Sequence, residues 1–212
     1  RVAALPTEVR DVNGLLSISP QGLEFRGLNN REGSYLEGRL GNGRFRLGGR
    51  VIMDGLKLEA FALRLTGDNL YLAPSFFDGL VGGELALTGP FTQPMLQGKV
   101  TVRKARIELP EGGGPALPFD LNLDLACEAA NDVYFRMYGM TYIPFNGSIH
   151  VGGSLRKPEL DGKLNSTRGW VNILGDTFRI KNLTAEFRPD YKLYPYLDLE
   201  ATRNLAGTEV TI

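Results

Sequence analysis

The sequence predicts an all-β fold: an elongated, curled sheet, antiparallel or mixed, with an apolar groove and built from repeated hairpin units. Three observations lead there. Gly83, Gly89, Pro94 and Gly98 return 64 residues later as Gly147, Gly153, Pro158 and Gly162. Between them Leu85, Leu87, Leu96 and Val100 become Ile149, Val151, Leu160 and Leu164 without a gap. Each copy reads as strand, turn, strand, and an in-frame match of this length marks a repeat-built fold. Second, almost every segment alternates apolar and polar residues with period two, the signature of a strand with one buried and one wetted face. Third, glycine supplies 27 of 212 residues. That is nearly twice the usual share of about 7%, and the glycines fall at turns rather than in low-complexity runs.

Leu15 to Ser19 and Leu23 to Arg26 alternate around a Pro20-Gln21-Gly22 turn, where proline presets φ and glycine tolerates a positive one. Gly43, Phe45, Leu47 and Gly49 make a weaker third copy of the repeat opening. Leu56 to Leu72 is the most apolar region. Leu56, Leu58, Ala60 and Ala62 share one parity and Phe61, Leu63 and Leu65 the other, so this strand is covered on both sides or slips phase near Ala60. Pro74 to Gly83 is the one segment with room for a helical turn; nothing else carries a capped helical period.

After each copy the apolar residues change parity. Val100 and Val102 are even and Ala105 and Ile107 odd; Leu164 is even and Val171 and Ile173 odd. A one-residue slip inverts the buried face unless a bulge or bend restores it. Corners are therefore expected near 103–105 and 166–169. Residues 111–115 read as a glycine-rich loop. Leu121 to Cys127 and Val133 to Met137 then alternate, and Asn131-Asp132 echoes Asp68-Asn69. Phe178 to Phe187 and Tyr196 to Ala201 supply the last clear strands. Some fifteen short strands without helices to cover them must fold onto themselves, and at about 4.8 Å per strand one such sheet would run about 70 Å.

The composition excludes several functions. Lys+Arg and Asp+Glu balance at 24 each, so the basic excess of a nucleic-acid binder is absent and no nucleic-acid partner is expected. Cys127 is the lone cysteine and cannot close an intrachain disulfide. No apolar run approaches the ~20 residues of a membrane helix. The chain opens at Arg1 without an initiator methionine and stops inside an alternating stretch, so it is read as a piece of a longer one.

Catalytic constellations are sparse. His150 is the only histidine and lies between Ile149 and Val151, pointing away from the apolar side. One histidine and one cysteine cannot form the usual zinc set, and no cofactor, metal or catalytic residue is expected. Gly41-Asn42-Gly43 resembles a dinucleotide loop, but Arg46 holds the third glycine's place and no helix follows, so it reads as a hairpin turn. Asp198 with Glu200, and Asp120 with Asp124, share strand faces as an acid–base pair would; their alternation with leucines makes them ordinary outward carboxylates. Arg44, Arg46 and Arg50, and Arg103, Lys104 and Arg106, form local basic clusters suited to head groups or simply to a solvated face.

The repeat is followed by Arg168-Gly169-Trp170, a Gly175, Phe178, Ile180 strand, and the Phe187, Pro195, Leu197, Leu199, Ala201 tail. In this order residues 83–201 resemble the C-terminal domain of the translocation and assembly module family, TamB, within the wider AsmA-like group. Residues 1–82 are compatible and less distinctive, and 1–212 is read as a single fragment. The resemblance implies a β-taco in a periplasmic protein anchored in the inner membrane of a diderm bacterium. It further implies phospholipid transfer between inner and outer membrane and an outer-membrane partner of the Omp85 type.

Lining residues follow as inward parity: Leu85, Leu87, Val100, Val102, Ile107, Leu121, Leu123, Leu125, Val133, Phe135, Met137, Ile149, Val151, Leu164, Val171, Ile173, Phe178 and Ile180. The expected function is a lipid-transfer groove holding acyl chains. The alternative is a chaperone-like module that assists outer-membrane β-barrel assembly by strand addition. Open edge strands would also allow end-to-end self-association. A third reading, an enzyme such as a carbohydrase, would need a clustered set of carboxylates, for which Asp198 and Glu200 are the best candidates.

Overall fold

The computed structural model describes residues 8–29, 31, 33–74, 77–108, 120–137, 140–191, 194–205 and 208–212. The loop expected at 111–115 lies outside them. The strands are β1 (Val9–Asn13), β2 (Leu15–Ser19), β3 (Gly22–Arg26), β4 (Leu36–Leu40), β5 (Gly43–Asp54), β6 (Lys57–Leu72), β7 (Phe77–Pro90) and β8 (Met95–Ile107). They continue as β9 (Asn122–Met137), β10 (Thr141–Ser154), β11 (Lys157–Ser166), β12 (Trp170–Ile173), β13 (Asp176–Phe187), β14 (Tyr196–Leu205) and β15 (Thr208–Thr211). All fifteen join one sheet. The only helical element among the described residues is a 3-10 turn at Pro189–Tyr191.

Three strands add no width. β1 and β2 follow one another in one lane, β3 and β4 lie end to end along β5, and β11 and β12 lie end to end between β10 and β13. The path across the sheet therefore counts twelve strands. Eleven spacings of about 4.8 Å make it about 53 Å wide, less than the ~70 Å expected from fifteen separate lanes. The pairings are antiparallel except that of β8 with β9, which run parallel from Met95 opposite Asn122 to Ile107 opposite Phe135. A parallel pair needs a crossover of a dozen or more residues, and 108–121 supply that length.

A band of bulges crosses the sheet. The register shifts at Asp68-Asn69 on β6, Arg103-Lys104 on β8, 130–132 on β9, Asn146 on β10 and Lys181 on β13. Asn69, Lys104 and Asp132 have φ of 53°, 46° and 54°, the left-handed region that side chains seldom adopt. Bulges bend and twist the strand that carries them, and here each lets a strand turn while keeping its apolar residues on one side. The slip at 103–105 falls on the β8 bulge, and that at 166–169 on the gap between β11 and β12, where Gly169 has φ 115°. Pro144 sits in mid-strand opposite that gap. Residues 143–145 have no β11 or β12 partner, so the missing proline N–H costs no ladder bond. The Ser166 hydroxyl donates to the Pro144 carbonyl and ties the gap shut.

The glycines of the two copies have a specific reason. Gly83 (φ 142°) and Gly98 (φ 146°) lie on β7 and β8, Gly147 and Gly162 (both φ 135°) on β10 and β11. A methyl group on Gly83 would sit 2.0 Å from the Lys99 carbonyl oxygen, and one on Gly98 2.0 Å from that of Glu84. The second copy repeats the arrangement, Gly147 against Lys163 at 2.2 Å and Gly162 against Ser148 at 2.4 Å. Only glycine enters this φ range and permits so close an approach.

Two expectations change, and of the two alternatives for β6 the structure has the phase slip. Of 74–83, everything from Phe77 on is strand, and the Phe77 N–H donates to the Pro74 carbonyl at 3.0 Å; Gly79 lies so close to Ala105 of β8 that a Cβ there would come within 2.4 Å of it. Leu56 leaves the strand and is 99% exposed at the Gly55-Leu56 turn. The double-parity strand β6 slips phase at Glu59, an extra residue between Leu58 opposite Met53 and Ala60 opposite Ile52. Phe61, Leu63 and Leu65 then share one face.

Candidate functional site

The pairings arrange the sequence-predicted residues in rows, one residue per lane. One row reads Leu36, Leu47, Leu65, Leu85, Gly98, Leu125, Val151, Leu160. Another is Leu63, Leu87, Leu96, Leu123. A third runs Gly83, Val100, Cys127, Ile149, Gly162, and a fourth Val81, Val102, Ala129, Gly147, Leu164, Ala185, Leu197. Beyond the bulges follow Ala105, Val133, Phe145; then Ile107, Phe135, Ile143; then Met137, Thr141, Val171, Phe178. Ile180 faces Ala201. Direct cross-strand partners share a face, so these rows form one apolar face. Leu121 stands just before β9, and Ile173 is opposite Asp176 beside a turn.

Burial along this face is shallow. Val133 and Ile180 are buried, Met137 and Ile173 are each 37% exposed, and the other predicted residues are half-buried. Lateral neighbours shield their stems, and the described residues supply no second layer to cover their tips. Apart from prolines, only six aliphatic side chains among the described residues are buried: Leu40, Ala105, Val133, Ile180, Leu183 and Ala201. The accessible surface is 13992 Å², whereas a compact chain of this mass would expose about 9,700 Å². An apolar face left this open is a surface able to take a ligand.

A cleft of about 790 Å³ is lined by Val100, Cys127, Ala129, Gly147 and Ile149 together with the alternate positions Lys99, Glu128 and His150. A second cleft, of about 580 Å³, is lined by Asp11, Glu37, Arg39, Arg44, Arg46 and Asp68. Its charged lining belongs to the polar face and does not suit an apolar ligand. Burial pushes the Cys127 thiol above its usual pKa, as expected for a thiol among Val100, Ile149 and Leu125 rather than in water.

The other face is wet and ion-paired. Glu37–Arg46 (2.7 Å), Lys163–Glu186 (3.4 Å) and Asp68–Arg103 (3.2 Å) bridge strands. Arg106 lies 3.5 Å from Asp78 and 3.3 Å from Glu108. Three of the six clustered cations thus meet carboxylates, which favours a solvated face over a phosphate patch. Exposed pairs of this kind contribute roughly 0–1 kcal/mol, so they orient the sheet rather than hold it. His150 is exposed with Nε2 2.8 Å from Asp124 Oδ1. Asp198 and Glu200 are exposed opposite Thr184 and Asn182. Among the described residues no three His, Cys, Asp or Glu are placed to hold a metal ion.

Sequence reasoning omitted Leu65, Cys127, Phe145 and Ile143 from the face. Cys127 carries the parity of Leu121, Leu123 and Leu125, and Phe145 that of Ile149, so the same alternation could have found both. No helix among the described residues is long and apolar enough to cross a membrane.

The search of curated proteins returned no match. A family profile described as the TamB C-terminal domain matches residues 32–211. The match begins well upstream of residue 83 and so takes in most of the less distinctive first part. This family is one of bacterial envelope proteins, of transport and assembly modules rather than enzymes. With most of its length matched in this way, the chain belongs to the TamB C-terminal domain family.

Proposed function

We propose that the apolar face is a groove along which phospholipid acyl chains move between inner and outer membrane. The domain would work in the periplasm, within a longer inner-membrane-anchored protein that meets an Omp85-type partner. One observation carries this reading: apolar rows run from lane to lane with no charged residue among them and, among the described residues, no second layer above. A chain laid on such rows gains about 0.8 kcal/mol per buried CH₂. Because every row offers the same chemistry, it can slide without leaving a deep site. The polar face, wet and crossed by ion pairs, has no such affinity.

The test is lipid extraction and native mass spectrometry of the purified protein. Bound phospholipid is expected, and Leu123→Asp or Ile149→Asp should empty it, since the new carboxylate would stand beside Leu96 or Cys127 on the apolar face. Full loading of both variants would contradict the groove.

The sheet's edges support a second reading. Among the described residues β15 pairs only with β14, and β1 and β2 each pair on one side. An unpaired strand edge can add a strand from a nascent β-barrel or from another copy of this chain. Prolines in β15 should then abolish binding of unfolded barrel peptides while Leu123→Asp spares it. Sizing over a dilution series detects end-to-end pairing.

A further inference from the structure

One rim of the sheet ends in apolar tips. β12 and β13 join through Leu174 and Gly175, with Ile173 opposite Asp176. Both loop residues have positive φ, 54° and 90°, as the twist-matched two-residue hairpin turn requires. Asparagine or glycine normally stands first in such a turn, because a branched apolar side chain is strained there. Leu174 is nevertheless held in that conformation and is completely exposed. Beside it the Met140 carbonyl accepts the Asn172 N–H at 2.7 Å, and Met140 is 51% exposed. Leu174, Ile173, Met140 and Met137 thus form an apolar crest.

A different chemistry lies one step back on the outward face. Arg136, Tyr142, Trp170 and Arg179 are consecutive cross-strand partners. The Tyr142 ring packs against that of Tyr134, the centroids 5.1 Å apart and the planes tilted by 45°. Trp170 and Arg179 are four residues from the turn, about 13 Å along the strand. The order from the tip is therefore aliphatic, then aromatic flanked on both sides by arginine. This is the layering of a bilayer interface, where apolar side chains enter the acyl region, Trp and Tyr sit among head groups, and cations meet lipid phosphate. A pocket on a protein would not call for that sequence of layers. Asp176, the acid nearest the tip, is paired with Arg203 and so does not oppose an anionic surface as a lone charge.

We propose that this rim docks on a phospholipid bilayer, with Leu174 and Met140 as the inserting residues and the Arg136–Arg179 row at head-group level. The docking rests on Leu174, Met140 and the outward arginine row, none of which lines the acyl-chain groove, while Met137 and Ile173 border both.

The test is flotation with vesicles of phosphatidylcholine alone and mixed with phosphatidylglycerol, read together with Trp170 emission, the chain's single tryptophan. The protein should float with both, more with the anionic mixture, and Trp170 should shift to the blue. Leu174→Asn with Met140→Ser should weaken flotation about tenfold or more. Asparagine suits the left-handed turn, so these changes leave the hairpin intact, and an unchanged circular dichroism spectrum checks this. Arg179→Gln should remove part of the preference for the anionic mixture. Failure of the unaltered protein to float on either vesicle, or equal flotation of the double variant, overturns the proposal.

Discussion

Replacing Gly98 by alanine tests the reason the repeat keeps its glycines. The added methyl carbon would lie 2.0 Å from the Glu84 carbonyl oxygen, and real Cβ atoms essentially never come closer than 3.0 Å. β7 and β8 must part by about an ångström, or Gly98 must leave its φ of 146°. The conformation alone costs about 1–3 kcal/mol for a residue with a Cβ. One or two weakened ladder bonds add about 1 kcal/mol each, for a total of roughly 2–5 kcal/mol. Gly162→Ala, at 2.4 Å from the Ser148 oxygen, should behave alike. Gly55→Ala is the control, because Gly55 also has positive φ, 59°, but open space around it; only the left-handed cost of about 1–2 kcal/mol remains. Urea unfolding followed by Trp170 fluorescence measures all three. If Gly98→Ala and Gly162→Ala lose no more stability than Gly55→Ala, close strand approach is not what the repeat encodes.

Other outcomes follow from particular residues. Val133 is 1% exposed between Ala105 and Phe145, so Val133→Ala should cost about 1–2.5 kcal/mol; Met137→Ala, at the open rim, should stay within about 0.5 kcal/mol. Denaturation curves showing equal losses would mean the bend is not the best-packed region. The Arg188 hydrogen bond at 2.9 Å, then the charges of Arg188 and Lys163, hold the Glu186 carboxyl below its ordinary 4.5 against the opposing effect of burial. A depressed folded pKa means the contribution is full above that ordinary value and fades as pH falls through the lowered one. Glu186→Gln should therefore lower Tm near neutral pH and match the unaltered protein in acid; an offset independent of pH contradicts the pairing.

Much of this architecture was legible because period-two alternation survives wherever one face is apolar. The parity slips at 102–105 and 164–171 announced the Lys104 bulge and the gap after Ser166. The echo of Asp68-Asn69 in Asn131-Asp132 marked two bulges that each hold a left-handed residue. Lane sharing was not legible, since nothing in β3 or β4 alone shows that both lie along β5. The parallel pairing of β8 with β9 was hidden for the same reason, as local pattern carries no strand direction. Leu56 alternates like its neighbours and was placed in a strand; the turn falls there because Gly55 takes a positive φ. The Arg103–Asp68 and Arg106–Asp78 pairs join distant strands, so a sequence reading saw only clusters of cations.

Cys127 offers the most direct measurement of the central claim, because it is the chain's single thiol and sits on the apolar row between Val100 and Ile149. Its alkylation by a small water-soluble reagent can be followed in lipid-stripped and phospholipid-loaded protein at fixed pH. If acyl chains occupy this face, loading slows the reaction severalfold, and Leu123→Asp restores the faster rate. An alkylation rate unchanged by bound phospholipid would place the lipid elsewhere.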